Sequence, residues 1–549
     1  MKKNIFIFIV FYFIAIGLIV YFTALTFHYI EGDDASTILY HLMGRNKAIQ
    51  LPYAAYHSMF DYILCFLPRN ESILLSFSML LSYIFSFILI ILLAYYTYKY
   101  INIKNANNDE NINKYILYFL LIIPFLIPEF IFFGLLYNPT VIGMSLLIGS
   151  YLLFLNNKSW KNRLLCILLF GIGISFRWNL AMFGVTFIVE LIWEIVQKDN
   201  TKNNIINNVL FVLGLILSPF LFIYISGYSP KDFFEILLWG KSYVDKIDFS
   251  LFSFLGCGAS MFTPLFIILF ILGIIRQIVT KDFKILILLV CNEIPLLLFK
   301  TGLLPKMLIT LFPFILIICC TGFIYLVKNR NYIINSIVVF LLFVPWFVGV
   351  NINVDNTLWG PGFEKKTTLA KHNYESNNSR NPNKRLKNMK VKMKINGGFA
   401  IPTPEGARPF WGYFYVIFGG QWKQMFVNFY EEMDNSINFS KRTNSYLILD
   451  TRFSYIQCIL FKKGYKCNTK FITDSSQNIY YRKFISGTDS VIIITPLNKN
   501  IDINWLSSLK NVKDSTSVYV SNTNAIINLN NLDKFIMKGP LSGIYILDK

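Results

Sequence analysis

Long apolar runs, nearly free of charge, recur along the chain from Ile5 to about Val350. Each is close to the roughly 20 residues that an α-helix needs to cross the hydrocarbon core of a bilayer. The pattern therefore predicts a helical membrane domain over residues 1–351, with about eleven transmembrane helices. They are predicted at residues 5–27, 73–98, 115–133, 140–155, 164–177, 179–197, 205–226, 251–275, 285–300, 307–327 and 332–350.

Polar residues return after the last apolar run. Residues 352–395 predict a basic connector, in which ten Lys or Arg residues between Lys365 and Lys394 stand against one acid, Glu375. Short β-rich and helical runs then alternate, which predicts a small α/β domain within residues 396–549 that has no GxGxxG or P-loop motif. The predicted strands are Tyr446–Leu449, Ser490–Thr495, Ser517–Val520 and Gly543–Leu547, and the predicted helices are Ser454–Lys462, Asp502–Leu509 and Leu532–Met537.

Lysine and arginine are distributed unevenly over the loops between the predicted spans. If the N-terminus is cytoplasmic, the inner segments carry 15 basic residues in 48 positions, whereas the outer loops are longer in total and carry fewer. Because cytoplasmic loops are enriched in Lys and Arg, we predict an integral membrane protein with a cytoplasmic N-terminus. The loop at residues 28–72 and the C-terminal domain are then extracytoplasmic.

Composition agrees with lipid as the solvent. Of all residues, 55% are hydrophobic and 15% are charged, against about 25% charged in soluble domains. A formal net charge of +20 would suggest nucleic acid as a partner of a soluble protein. Here much of that charge lies on the predicted inner loops, so we expect membrane lipids and no nucleic acid as partners. The eight cysteines show no spacing typical of a zinc or redox site.

The loop at residues 28–72 opens with an acidic pair, Asp33 and Asp34, just after the first span. Apolar residues then recur at helical spacing and stop at Gly44, which predicts a short amphipathic helix lying in the membrane interface. The acidic pair would stand at the start of this helix, where anions are favoured. The apolar residues are Ala35, Ile38, Leu39, Leu42 and Met43.

A second interfacial helix is predicted between Tyr56 and Leu67, because apolar residues recur at the same spacing until Pro68 ends the run. His57 and Asp61 are four residues apart and share the other face of this helix. We expect both at the outer surface, at the depth of the acidic pair, as substrate-binding residues on the acceptor or metal side.

The acidic pair has two interpretations. Asp33 or Asp34 could act as a general base that accepts the proton of a hydroxyl attacking an activated sugar carbon. Adjacent carboxylates can differ in pKa, so that one of the two suits this role. Alternatively, one aspartate caps the helix and the other is merely solvated. The residues by themselves leave both interpretations open.

Charged residues beside later spans are further candidates for substrate binding. Arg177 lies between two tightly linked spans and Lys306 just before a late span, so that both are predicted at the outer face. Arginine suits phosphate geometry, which favours Arg177 as the contact to a lipid phosphate; snorkelling to the interface is the alternative. Glu293 is an acid inside a predicted span, where acids are often functional, unless it pairs with Lys300 or lies at a misplaced span end.

The layout of the first 350 or so residues resembles the GT-C superfamily of membrane glycosyltransferases, which includes protein mannosyltransferases and lipid A aminoarabinose transferases. Shared features are a first span, the pair Asp33-Asp34 just outside it, interfacial helices, about ten further spans and an outer C-terminal domain. Similar stretches are Leu51-Pro52-Tyr53 through His57 to Leu67, Gly173-Ile174-Ser175-Phe176-Arg177-Trp178, and Pro305-Lys306-Met307 through Leu311-Phe312-Pro313-Phe314.

The resemblance implies transfer of a sugar from a polyprenyl-phosphate donor to a lipid, glycan or protein acceptor. Asp33 matches the usual position of the base slightly better than Asp34 does. No metal ligand is singled out, and a divalent metal ion stays open as a cofactor. The chain lacks the double proline of the family's Pro-Pro-Leu segment and the His-Pro-Asp-Glu and Trp-Trp-Asp-Tyr-Gly motifs of particular branches, which leaves the subfamily open.

Two other classes compete with this interpretation. A transporter or flippase for lipid-linked glycans predicts charges spread along the interiors of the spans and a repeat between the halves. The acids gather instead at one predicted surface, and no such repeat is evident in the sequence. A non-catalytic assembly protein, whose outer domain binds a partner, is the second alternative.

Overall fold

The structure is a computed structural model, and two compact units divide the chain. The first comprises Met1–Thr23, Pro52–Asp245 and Cys257–Trp346, and the second comprises Ala24–Leu51, Lys246–Gly256 and Phe347–Lys549. The structure describes residues 6–7, 9–15, 17–18, 37–38, 41, 57–105, 112–127, 139–156, 159–196, 202–229, 231–232, 263–298, 308–328 and 332–347, and the strands at 394–395, 398–403, 406–410, 446–450, 469–472, 490–496, 517–520, 525–528 and 542–548.

Within these described residues, the first unit consists of helices. A helical segment within residues 6–18 is followed by α1 to α11, with short 3-10 turns at Trp178–Phe183 and Ile309–Leu311. The α-helices are α1 Ser58–Leu64, α2 Glu71–Asn105, α3 Ile112–Leu126, α4 Pro139–Asn156, α5 Trp160–Phe176, α6 Gly184–Val196, α7 Lys202–Ile225, α8 Pro264–Val279, α9 Phe283–Leu298, α10 Phe312–Val327 and α11 Tyr332–Phe347.

Several of these helices can cross a membrane by length and composition. Five stretches of the described residues qualify, and each coincides with a predicted span. Three shorter apolar helices lie at other predicted spans, so that the class of helical membrane protein is supported, whereas the count of eleven stays a prediction. The five are Ser76–Asn102, Pro139–Asn156, Trp178–Val196, Ile205–Ile225 and Ile309–Val327, and the shorter ones are Ile112–Leu126, Pro264–Val279 and Ile333–Phe347.

Hydrogen bonds between side chains show how neighbouring helices run. Tyr96 of α2 lies 3.4 Å from Tyr151 of α4, hydroxyl to hydroxyl, and Lys99 one turn further on bonds to Asn156. The residue numbers rise together, so α2 and α4 are parallel. The α6–α9 pair is antiparallel, because Thr186 bonds to Asn292, whereas Glu190, one turn later in α6, pairs with Lys284, two turns earlier in α9.

The first unit therefore has two distinguishable ends. The His57 end holds α1, the start of α4 and the ends of α5 and α7; the Lys284 end holds the end of α4 and the start of α9. This sorting agrees with the alternation on which the charge argument depends. Which end faces outward stays a prediction from the distribution of lysine and arginine.

A proline inside α3 leaves one backbone carbonyl without its helical hydrogen bond, and a side chain of a neighbouring segment supplies the missing donor. Pro124 has no N–H, so the carbonyl of Leu120, four residues earlier, loses its helical partner. The hydroxyl of Tyr12, in the N-terminal helical segment, donates to that carbonyl. In hydrocarbon a freed backbone group needs a protein partner, and this bond ties the N-terminal segment to α3.

The end of α3 is closed in the same way. The carbonyl of Phe125 accepts a hydrogen bond of 3.1 Å from the indole N–H of Trp346, and that of Leu126 accepts one of 3.0 Å from the hydroxyl of Thr263. Thr263 is also the N-cap of α8, because its hydroxyl accepts from the N–H of Phe266. Side chains of α11 and of the α8 cap thus satisfy carbonyls that a helix end leaves open.

Glycines allow the closest helix crossings. In α8, a Cβ added at Gly273 would lie 2.0 Å from the carbonyl oxygen of Ile318. In α10, one added at Gly322 would lie 2.0 Å from the carbonyl oxygen of Leu269. Only a residue without a side chain fits there, as is typical of helices packed in lipid. α8 and α10 therefore touch backbone to backbone.

The described strands of the second unit form two sheets. β1 to β3 pair antiparallel, and the other six strands form one mixed sheet in the order β5-β4-β6-β9-β7-β8. β4 pairs parallel with β5 and β6, whereas the remaining pairs are antiparallel. The strands are β1 Lys394–Ile395, β2 Gly398–Thr403, β3 Gly406–Phe410, β4 Tyr446–Asp450, β5 Thr469–Ile472, β6 Ser490–Pro496, β7 Ser517–Val520, β8 Ala525–Asn528 and β9 Ser542–Asp548.

The four predicted strands coincide with β4, β6, β7 and β9. Their runs of β-branched and aromatic residues carried the prediction. The hairpin of β2 and β3 was not predicted, because its strands contain Pro402 and Pro409, which argue against a strand. The three predicted helices lie outside the described residues, so the α/β character and the limits at residues 351 and 395 stay predictions.

Candidate functional site

α1 carries the polar pair that was predicted to face outward, and the structure buries both side chains. His57, the residue before the helix, and Asp61, in its first turn, are each 0% exposed, as is the apolar Leu64. Both side chains are buried because α1 packs against both α5 and α7. Their position at the outer surface of the membrane stays a prediction.

Two hydrogen bonds dock the start of α1 onto the end of α5. Nδ1 of His57 lies 2.8 Å from the carbonyl oxygen of Phe176, and the hydroxyl of Ser58 donates to the carbonyl oxygen of Ser175 at 3.3 Å. A carbonyl can only accept, so Nδ1 carries a proton and, in the neutral ring, Nε2 is the acceptor nitrogen. The bond thus fixes the tautomer of a buried imidazole.

A third contact reaches α1 from the end of α7. The chain leaves α7 through Gly227, at φ 85°, where the N–H of Tyr228 bonds to the carbonyl of Ile223 and that of Gly227 to the carbonyl of Tyr224. This is a Schellman motif, whose left-handed position suits glycine. It brings the Tyr228 hydroxyl to 2.9 Å from Oδ2 of Asp61.

Arg177 lies in the predicted tight turn, between α5 and the 3-10 turn that leads into α6. Its side chain is only 2% exposed, and its position at the outer face of the membrane stays a prediction. Nη1 donates to the hydroxyl of Thr140, at the start of α4, over 2.9 Å. A buried guanidinium in an apolar bundle is costly and is kept where it holds a partner or a substrate.

The other predicted site residues are distributed differently. Glu293 lies within α9 and is half-buried, next to Asn292, whose amide bonds to Thr186 of α6 at 3.0 Å. The acidic pair Asp33 and Asp34 and the cations Lys300 and Lys306 lie outside the described residues. Of the predicted set, the structure therefore buries His57, Asp61 and Arg177 at the same end of the first unit, and it places Glu293 within α9.

A second polar cluster, near the Lys284 end, was not predicted. Glu190 of α6 is 3% exposed; its Oε1 accepts from the hydroxyl of Tyr151 at 2.8 Å, and its Oε2 lies 2.9 Å from Nζ of Lys284. The hydroxyl of Tyr100 lies 3.2 Å from both oxygens of Asp282, beside Lys284. An acid within a predicted span was the available signal for Glu190.

The two clusters differ in the side chains that they contain. Around Glu190, the hydrogen bond from Tyr151 and the ion pair with Lys284 join α4, α6 and α9. The His57 end instead contains a buried imidazole, carboxylate and guanidinium, bonded to Phe176, Tyr228 and Thr140 respectively. These are group types that can exchange protons and bind a phosphate.

No family model, curated protein or solved structure matches the chain.

Proposed function

We propose that the protein is a membrane glycosyltransferase that moves a sugar from a polyprenyl-phosphate donor to a lipid, glycan or protein acceptor on the outer face of the membrane. One observation carries the proposal: His57, Asp61 and Arg177 are each buried at one end of an apolar helix bundle, where His57 bonds to the carbonyl of Phe176, the residue before Arg177. Ionisable groups are costly in such surroundings, and clusters of them mark functional sites.

Each group has a role in the proposed transfer. The acceptor hydroxyl oxygen bonds to the anomeric carbon, the bond from that carbon to the phosphate oxygen breaks, and the phosphate leaves with the electron pair. Asp33 or Asp34 takes the hydroxyl proton. Arg177, with Lys306 as a second cation, stabilises the charge on the leaving phosphate. His57 and Asp61 bind substrate hydroxyls, and Glu293 is a further polar contact within the bundle.

The acidic pair and the Arg177 group enter the proposal on different grounds. The pair rests on its place after the first span and on the resemblance to GT-C enzymes. The group around Arg177 rests on burial and hydrogen bonds in the first unit. The outward direction rests on the bias of lysine and arginine toward the predicted inner loops.

A transporter or flippase for lipid-linked glycans is the second candidate, and the Glu190–Lys284 pair is what favours it. Charged residues within the spans of transporters often line a path for substrate or protons. In this protein the pair is closed by Tyr151, with distances of 2.8 and 2.9 Å at the two carboxylate oxygens. A satisfied pair of this kind joins helices, which makes glycosyl transfer the better supported function.

The decisive experiment changes the acidic pair. Asp33→Asn, Asp34→Asn and the double variant are purified and given a panel of polyprenyl-phosphate sugars, and transfer to a lipid, glycan or peptide acceptor is measured. We expect the double variant to lose about 100-fold or more in rate, since a general base contributes about 10²–10⁴-fold. An Asp282→Asn variant, altered at the Lys284 end, is the matched control.

Three outcomes would count against the proposal. A folded double variant that transfers as fast as the unmodified protein removes the catalytic role of the pair. Transfer that proceeds fully without a lipid-linked donor removes the donor class. An unmodified protein that transfers nothing yet moves labelled lipid-linked glycan across vesicle membranes identifies a flippase. Repeating the assay with EDTA tests the divalent metal ion that the sequence leaves open.

A further inference from the structure

The bond between Tyr228 and Asp61 joins residues that are 167 positions apart in the chain. Both side chains are buried, Asp61 at 0% and Tyr228 at 3% exposure. The bond therefore forms in a site that excludes most water, where a hydrogen bond to a carboxylate is stronger than at a surface.

Local structure delivers the phenol to this position. The Schellman motif at the end of α7 needs a residue at positive φ, and Gly227 supplies it. The reversal aims Tyr228 back along α7 toward α1. Its N–H bonds to the carbonyl of Ile223, and both side chains are buried. The Schellman motif uses only backbone groups, so the hydroxyl of Tyr228 has no part in ending the helix.

Asp61 is anchored on its backbone side as well. Its N–H bonds to the carbonyl of His57 at 3.0 Å, as the first helical bond of α1. The Tyr228 bond constrains the rotation of the carboxylate plane. An ionised carboxylate has about four lone-pair sites on two oxygens, so it can accept from a phenol and from other donors, such as a substrate hydroxyl, at the same time.

We propose that Tyr228 is a positioning residue, which orients the carboxylate of Asp61 so that it accepts a hydrogen bond from a hydroxyl of the sugar substrate. This inference rests on the proposed function. Asp61 is the group that touches substrate, and Tyr228 acts through it. A purely structural role, in which the bond only pins α1 to the end of α7, is the competing explanation.

Infrared spectroscopy tests the bond without requiring activity. Protein with isotope-labelled aspartate carboxyl carbon is measured in detergent, and the Asp61→Asn difference spectrum identifies the Asp61 carboxylate band. We expect Tyr228→Phe to shift that band, because it removes only the hydroxyl that donates to Oδ2. Tyr224→Phe, which alters an exposed tyrosine in the last turn of α7, should leave the band in place. An unshifted band in Tyr228→Phe overturns the inference.

Kinetics then distinguish positioning from pinning. Tyr228→Phe should lower kcat/KM for the sugar donor about tenfold, chiefly by raising KM, as expected when one hydrogen bond to substrate is misaligned. In the Asp61→Asn background the same change should have no further effect. A lowered melting temperature with unchanged KM overturns positioning in favour of pinning. A band shift in a protein that transfers no sugar at all instead refutes the proposed function and keeps the orientation of Asp61.

Discussion

At the scale of single residues, the sequence identified some candidate site residues but not the side chains that they contact. Spacing singled out His57 and Asp61, because i and i+4 share a helix face, and the tight turn singled out Arg177. Their partners Tyr228 and Thr140 have no such signal, since each comes from a distant segment and only packing brings it close. Burial of the predicted pair was missed for the same reason: the pattern of α1 shows an apolar and a polar face but not what covers the polar one.

At the same scale, the Glu190–Lys284 pair allows a stability prediction. We expect Glu190→Gln or Lys284→Met to lower the free energy of unfolding in detergent by about 3 kcal/mol each, because removing one partner leaves the other charge without compensation. The side chain of Lys284 is 29% exposed, which favours the lower end of the range for such pairs. The double variant should lose less than the sum of the two.

The measurement is a double-mutant cycle from unfolding curves followed by circular dichroism. Lys281, in the turn before α9, offers the matched control, because it carries the same charge and lies outside the pair. If the losses in the free energy of unfolding are additive, Glu190 and Lys284 are not coupled, which would contradict an ion pair between them. Partial exposure of Lys284 also predicts that salt weakens the coupling.

At the scale of elements, long apolar runs predicted the positions of several helices. They did not predict the contacts between helices that depend on a proline or a glycine. The positions of α2, α4, α6, α7 and α10 follow from composition alone, since lipid demands about 20 apolar residues. The repair of α3 by Tyr12 and the α8–α10 crossing depend on which helices are neighbours. The periodicity of one sequence does not show which helices are neighbours, so these contacts could not be predicted.

Tyr12→Phe tests the repair of α3. It leaves the carbonyl of Leu120 without the hydroxyl donor, so we expect a loss of about 1–3 kcal/mol in the free energy of unfolding. Pro124→Ala restores a backbone N–H that can bond to the same carbonyl. In that background, Tyr12→Phe should cost clearly less. Equal costs in both backgrounds, read from unfolding curves in detergent, would contradict the proposed repair.

The glycine crossing gives a second prediction at this scale. Gly322→Ala places a Cβ within 2.0 Å of the Leu269 backbone oxygen, so α8 and α10 must separate. We expect a loss of about 1–3 kcal/mol, as in other overpacked interiors. Gly149→Ala in α4 is the matched control, since its Cβ would meet nothing within 4 Å and alanine is the better helix former. Similar melting temperatures for the two variants would contradict the close crossing.

At the scale of the whole molecule, the hydrogen bonds and the charge distribution are independent evidence on which helix ends lie on the same side of the membrane. Contacts such as His57–Phe176 and Glu190–Lys284 sort the helix ends into two groups, and the positive-inside rule assigns a compartment to each group. The sequence alone could predict the alternation of loops because each span reverses the chain. It could not predict which side chains meet at each end, and those contacts define the candidate site.

Orientation can be measured with the protein's own thiol. Cys65 follows α1 at the His57 end and is exposed, whereas Cys166, Cys319 and Cys320 are buried. With the other cysteines replaced by serine, Cys65 should react with a membrane-impermeant maleimide added to intact cells, because the His57 end is predicted to face outward. A Thr280→Cys variant that lacks Cys65 reports on the Lys284 end, where Thr280 is exposed, and should react only after the membrane is opened. The reverse pattern would place the candidate site in the cytoplasm, and the donor would then have to be presented from that side.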